Sequence, residues 1–241
     1  MASSQLLGYL VSILPAGLLA LVLLLALPRA LVGARVAVHI VFFVFARDAM
    51  SPAGFWQLTP GSMRLSATAP ELLALAGMSG ALFLGVARLE RVTWWRGMQG
   101  RRLGASVLWG VLGAALITGL AAALKAAAGL PSPPAPDAAM WVPIVVFALL
   151  GNAYEELLFR GLLQQRLAQH MAPMRAVVVS GVLFSLCHAW LAFLVTRAGV
   201  PVLVFTLIEG LVAALVFQRA GLLGATLAHG LAIAALAGGV Y

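Results

Sequence analysis

Long apolar runs, broken by short stretches rich in arginine, proline or glycine, dominate this chain from end to end. About 20 mostly apolar residues are needed to cross the hydrocarbon of a bilayer. By that measure eight stretches are predicted to be spanning helices: residues 6–27, 30–46, 70–86, 103–128, 140–160, 175–196, 201–217 and 222–240. The second is the weakest, being short and carrying Arg35 and His39. Between the second and third, residues 48–69 hold Pro52, Pro60 and Gly61 and read as an irregular or partly interfacial loop. The opening residues MASSQL carry no Lys or Arg, so the basic start of a cleavable signal peptide is missing, and the first apolar run is expected to stay as a helix.

Composition turns this pattern into a fold class. The 241 residues are 63% hydrophobic and only 9% charged, against roughly 25% charged in a soluble domain. There are too few polar side chains to clothe a soluble protein. The expected fold is therefore all-α, a polytopic integral membrane protein of about eight transmembrane helices. Net charge is +8, but the arginines sit in short loops, as membrane orientation requires, so no nucleic-acid partner is implied. Five of them fall in residues 88–102, RLERVTWWRGMQGRR, which should be cytoplasmic with Trp94 and Trp95 at headgroup level. Alternation then places Arg29, Arg35, Arg160, Arg166, Arg175 and Arg219 on the same side and puts both termini outside, against which Arg47, Arg64 and Arg197 stand as exceptions. The loop at 131–137, PSPPAPD, has no positive charge and falls outside. The single cysteine, Cys187, excludes an intramolecular disulfide and a multi-cysteine metal site. Residues 1–130 show no polar constellation inside helices and are expected to be N-terminal helices with the basic loop; residues 131–241 are expected to be the functional core of one continuous membrane domain.

Ionisable groups inside a span cost at least about 2.5–3.5 kcal/mol and mark functional sites by default. Arg35, Glu71 and Lys125 lie near span ends, where long side chains reach the interface. What remains is His39, Glu155, Glu156, Arg160, His188, Glu209 and His229. In GNAYEELLFRGLLQQRL, residues 151–167, Glu156 and Arg160 are four apart with the acid first, the favoured order for an ion pair on one helix face. Such a pair can simply neutralise itself and fix geometry. Glu155 is turned about 100° away and cannot share Arg160 in the same manner. A carboxylate in low dielectric without its own cation suits general acid or base work, the bland alternative being a hydrogen bond to a neighbouring helix. Phe184 and His188 are four apart on a later span, and His229 lies in the last. A single helical histidine is more often structural; two on separate late helices beside paired glutamates point towards one site.

The order Glu155-Glu156-x-x-x-Arg160, then Phe184-x-x-x-His188, then His229 resembles the CPBP family, the CAAX prenyl endopeptidases and their bacterial relatives, which are glutamate-dependent intramembrane proteases. EELLFRGLL is similar to that family's first motif and GLLGATLAHG to the approach to its last, and the resemblance covers about the C-terminal 100 residues. It implies an eight-helix fold holding a water inside the membrane. Glu155 and His188 would activate that water for attack on a peptide carbonyl, Glu156 and Arg160 would support the site, and His229 would help stabilise the oxyanion. It implies no cofactor, a membrane-anchored protein or peptide as substrate, cut near its C-terminus, the lipid bilayer as surroundings, and a bacterial cytoplasmic membrane as location.

There is one departure: where the family usually has Asn or a similar polar residue four after the histidine, this chain has Ile233, which donates nothing. Losing one oxyanion donor can cost about 100–1,000-fold in turnover. Glu209 is an extra intramembrane acid that the family does not lead one to expect. Other readings are weaker. A catalytic metal is disfavoured, because no H-E-x-x-H pair is present and adjacent glutamates do not face one ion on a regular helix. GMSG at 77–80 fits the rhomboid G-x-S-G tetrapeptide, but the order of motifs fails and Ser79 is better read as close packing. Cys187 is about 100° round the helix from His188 and reads as a small hydrophobe. A non-catalytic relative, an immunity or scaffold protein, is the main alternative; a transporter lacks its inverted repeat.

Overall fold

The computed structural model describes residues 2–46, 56–59, 62–91, 102–127, 129 and 134–240. Among these the chain is a bundle of helices with one short hairpin. In order it runs α1 (Ala2–Ala26), α2 (Val32–Phe45), β1 (Trp56–Thr59), β2 (Ser62–Leu65), α3 (Ala69–Leu89), α4 (Leu103–Ala127), α5 (Trp141–Glu156), α6 (Pro173–Cys187) and α7 (Val200–Ala237). Six helices among the described residues are long and apolar enough to cross a membrane. Their outer faces carry Leu7, Val11, Leu14, Leu18 and Leu25 on α1 and Leu108, Val111 and Leu112 on α4, all exposed. A soluble monomer rarely shows such continuous apolar surface, and lipid is the solvent that suits it. The protein is a multi-pass integral membrane protein.

The expected spans are altered at three places. The second, 30–46, is α2, which at 14 residues reaches only about 21 Å, short of a full hydrocarbon crossing. Within the expected loop, residues 56–59 and 62–65 are strands: Trp56 pairs with Leu65 and Thr59 with Ser62, antiparallel. The seventh and eighth are the two limbs of α7. Its 38 residues would make a rod of about 57 Å if straight, but Gly221 has φ 76° and ψ −170° and breaks it. That conformation is open to glycine and costly for other residues. The limbs fold back on one another. Phe205 shares an apolar cluster with Leu236, and Val212 and Val216 share one with Ala228. The basic stretch at 92–101, with Trp94 and Trp95, lies outside the described residues, as do 47–55, which include Arg47, and 131–133.

The hairpin of α7 is the centre of the bundle, packed by α4, α5 and α6. Small residues allow the close approach: a Cβ on Gly113 would lie 2.7 Å from the Ala228 side chain, so α4 seats directly on the second limb. At the other side α3 packs on α5 and α1 packs on α2 and α3. The start of α3 is fixed locally, since the Thr68 backbone N–H and hydroxyl both donate to Glu71 Oε2, at 2.8 and 2.7 Å. Glu71 thus caps a helix.

The N-terminal half holds a polar cluster that the sequence reading did not anticipate. Arg35 is buried, not reaching for the interface. Its Nε and Nη2 donate to the two Glu90 oxygens, each at 2.9 Å, and its Nη1 donates to the Leu24 and Leu27 carbonyls at the end of α1. His39 Nε2 lies 2.8 Å from Glu90 Oε1. Partial burial works to raise the Glu90 carboxyl, but the hydrogen bonds and charges of His39 and Arg35 outweigh it and bring it down to about 2. The cluster ties α1, α2 and the end of α3 together.

Candidate active site

Six ionisable side chains from three elements meet beside the α7 hairpin: Glu155, Glu156, Arg160, His188, Glu209 and His229, every one buried. The first two end α5. After Glu156 the helix does not stop but widens to π-helical hydrogen bonding over Leu157–Gln164, then tightens again at Gln165–Ala168. Such widened turns are rare and often lie at functional sites. Arg160 sits within this turn and is wholly buried, so it is not a loop arginine that could set orientation.

Glu156 and Arg160 pair as the spacing predicts, Nε to Oε2 at 3.1 Å. Glu156 has a second partner that spacing alone does not reveal: His229 Nδ1, 2.8 Å from Oε1. Arg160 also reaches α7, donating from Nη2 to the Gly210 carbonyl at 2.8 Å. One turn on, Gln164 Nε2 donates to the Ala214 carbonyl at 3.1 Å. The widened turn is therefore stitched to the first limb of α7 by two side chains spaced alike on both elements. Gln164 escaped the sequence reading because an amide in an apolar run carries no charge to flag it.

Glu155 faces another way, as the rotation from Glu156 requires. Its Oε2 is 3.6 Å from His188 Nε2. His188 does not sit within a continuous helix: α6 ends at Cys187, His188 is the residue beyond, and the chain turns again as a short π-helical segment, Leu191–Val195. His188 Nδ1 is 2.8 Å from the Phe184 carbonyl. A carbonyl only accepts, so Nδ1 carries the proton, and this fixes Nε2 as the nitrogen that addresses Glu155. Phe184 is more than a spacer. Its buried ring lies 4.3 Å from the His188 ring, 5.4 Å from the His229 ring, and 4.5 Å beneath the Arg160 guanidinium. It sets the position of both histidines and of the arginine by contact.

Glu209, the unassigned acid, belongs to this group. Its Oε1 is 3.8 Å from His229 Nε2. On a straight helix the two residues, 20 apart in sequence, would be separated by about 30 Å. The fold at Gly221 brings them together. Ile233, one turn beyond His229, packs instead into apolar clusters with Leu72, Phe147 and Ala234 and with Ala121 and Leu236. His39 is not part of the site; it belongs to the Arg35–Glu90 cluster. Ser79 is fully buried on α3 and Cys187 packs among Phe184, Phe159 and Tyr154. Among the described residues no three His, Cys, Asp or Glu side chains converge as a ligand set for a metal ion.

Comparison with known proteins agrees with where the polar groups lie. A family model described as type II CAAX prenyl endopeptidase Rce1-like matches residues 136–234, the stretch that carries all six ionisable residues. No curated protein and no solved structure matches the chain. Over residues 136–234 the chain is similar to the Rce1-like type II CAAX prenyl endopeptidases.

Proposed function

We propose that this protein is an intramembrane endopeptidase that hydrolyses a peptide bond of a membrane-associated protein, near its C-terminus, with a water activated by Glu155 and His188. The observation that carries this is the facing of Glu155 Oε2 and His188 Nε2 at 3.6 Å, with Nδ1 of that ring anchored on the Phe184 carbonyl. An anchored imidazole presenting one nitrogen beside a buried carboxylate supports a water held between the two, which one of them deprotonates as it attacks the carbonyl carbon. The water's oxygen bonds to that carbon, the carbonyl oxygen takes the negative charge, and the proton goes on to the leaving amine as the C–N bond breaks.

The remaining groups support the reading by their charge. Glu156, held by Arg160 and His229, keeps the end of α5 in one orientation. His229 and Arg160 are the basic groups that share this buried cluster through Glu156, and preorganised positive charge in a dry site would favour an oxyanion. The family match favours a protein substrate and a protease activity. The membrane is taken to be a bacterial cytoplasmic membrane, on the resemblance to bacterial relatives. Ile233, an apolar side chain one turn past His229, is the one observation that favours a non-catalytic relative, an immunity or scaffold protein, as the second reading.

The test is C-terminal peptide mapping of the host membrane proteome with wild type and Glu155→Gln at matched expression. Proteins that keep their C-terminal segments only in the variant establish proteolysis and identify substrates. Identical maps, with both proteins folded, give the reading up for the non-catalytic one.

A further inference from the structure

His229 is flanked on both ring nitrogens by carboxyl groups. Glu156 Oε1 stands 2.8 Å from Nδ1 and Glu209 Oε1 stands 3.8 Å from Nε2. The first contact comes from the end of α5 and the second from the opposite limb of the α7 hairpin, so the ring is gripped from two elements. Glu156 is itself committed to Arg160 and acts as an acceptor. His229 therefore donates through Nδ1. A neutral ring would then turn a bare lone pair from Nε2 towards Glu209. Glu209 Oε1 is buried and has no hydrogen-bond partner among the described residues, so nothing else in the described fold takes up that oxygen. The charged groups around the ring are Glu155, Glu156 and Glu209 against Arg160, three carboxyls to one guanidinium, while α6 contributes the Phe184 ring.

We propose that Glu209 is a positioning residue for His229, completing a two-carboxyl clamp that holds the ring as a doubly protonated imidazolium, with Glu156 on Nδ1 and Glu209 on Nε2. Three carboxyls against one guanidinium around the ring favour its positive form, which places the proton between the two groups on nitrogen. Two consequences follow. The resting site carries a fixed cation on the second limb of α7, and Nε2–H is a donor turned, among the described residues, towards Glu209. Resting on the endopeptidase reading, that donor can pass from Glu209 to a developing oxyanion without a change in protonation. Glu209 then does its work before the reaction, by keeping the donor loaded and aimed. The clamp also explains why an acid is tolerated at this depth, since an unpaired one would be expensive.

The experiment is nitrogen NMR of the purified full chain in detergent micelles at neutral pH, with 15N-labelled histidine and His229 assigned by the signals lost in His229→Gln. Wild type is expected to show both His229 ring nitrogens as protonated. Glu209→Gln, which keeps the shape but not the charge, is expected to lose the Nε2–H signal and leave Nδ1–H. A single protonated nitrogen in wild type overturns the proposal, and so does a Glu209→Gln spectrum with both protons retained. Should that variant not accumulate, Glu209→Asp draws the carboxyl back by one methylene and must shift the Nε2 resonance; an unmoved resonance overturns the proposal equally. Because the spectrum needs no substrate, it separates from the proteome comparison: unchanged C-terminal maps with an intact imidazolium reject proteolysis and keep the clamp, whereas changed maps with a neutral ring do the reverse.

Discussion

Two buried polar clusters stand in this membrane protein, and they are built on opposite terms. In the N-terminal one, Arg35 uses Nε, Nη1 and Nη2, Glu90 accepts on both oxygens, and His39 completes the set. In the C-terminal one, Arg160 Nη1, Tyr154 OH and Glu209 Oε1 have no hydrogen-bond partner among the described residues, although each is buried. Leaving a buried polar group unmet costs about 1–3 kcal/mol, so a fold that only needed a brace would satisfy it, as the first cluster does. Unmet groups gathered in one buried cluster are what a site that must receive another molecule looks like. The first cluster fastens helices; the second holds polar capacity in reserve.

The largest effect expected from breaking this contrast is on cleavage. Glu155→Gln and His188→Ala should each lower turnover by about 100–10,000-fold, the usual contribution of a positioned acid or base, while the protein still folds. The measurement is single-substrate cleavage in proteoliposomes, using a protein identified by C-terminal mapping. A fully active Glu155→Gln protein would sink the mechanism. Glu156→Gln should behave differently and affect folding as well as activity. It removes the carboxylate that Arg160 and His229 share and leaves a guanidinium buried without its counter-ion. Breaking a buried pair in this way costs about 3–5 kcal/mol, so the yield of folded protein should fall with cleavage. Size-exclusion yield and thermal unfolding read this directly.

The same contrast shows what the sequence could and could not reveal. An ionisable residue inside an apolar run is visible without any structure, which is why Glu155, Glu156, Arg160, His188 and His229 stood out. The pairing of Glu156 with Arg160 was legible because it is local, four residues along one helix. Its second bond, to His229, was not, because 73 residues separate the partners. Glu209 was visible but had no place until Gly221 was seen to fold α7 back on itself; the sequence pattern puts a break there but says nothing of which faces then meet. Arg35 was set aside as a residue near a span end, His39 was kept as a lone candidate and Glu90 was not singled out, because a partner 51–55 residues away cannot be read from spacing. The widening of the helix after Glu156 left no trace in the pattern either, since nearly every residue of Leu157–Gln164 is buried and no polar face remains to show the period.

A smaller effect should come from the saturated cluster. Glu90→Gln should lower the Tm and leave cleavage intact, because Glu90 is far in sequence and in contacts from the reacting groups. Its carboxyl falls from an ordinary 4.5 to about 2 in the folded protein. A lowered carboxyl contributes stability that is present above its unfolded value and is lost as pH falls through its folded value. The Tm of wild type should therefore decline between about pH 4.5 and 2 more steeply than that of Glu90→Gln, and only that difference belongs to this carboxyl. Glu90 is half-buried, so solvent screening keeps the effect modest. Equal slopes would mean that the cluster does not carry acid sensitivity.

The smallest effects are expected at the two nucleophiles that the fold leaves out of the site. Ser79 is buried on α3 with its hydroxyl oxygen unpartnered among the described residues, and α3 packs chiefly on α5. Removing that oxygen takes away a buried polar atom without opening a sizeable void, so Ser79→Ala should be neutral or slightly stabilising. Cys187 lies next to His188 in sequence but packs with the apolar cluster of Phe184 and Tyr154. Cys187→Ala should cost no more than the loss of a small hydrophobe. In the proteoliposome assay both variants should cleave within about two-fold of wild type, well inside the range of ordinary packing changes. A large loss at Ser79 with the fold intact would move the chemistry from the carboxylate cluster to a serine on α3, and the distinction between a saturated brace and an unsaturated site would then have pointed to the wrong half of the molecule.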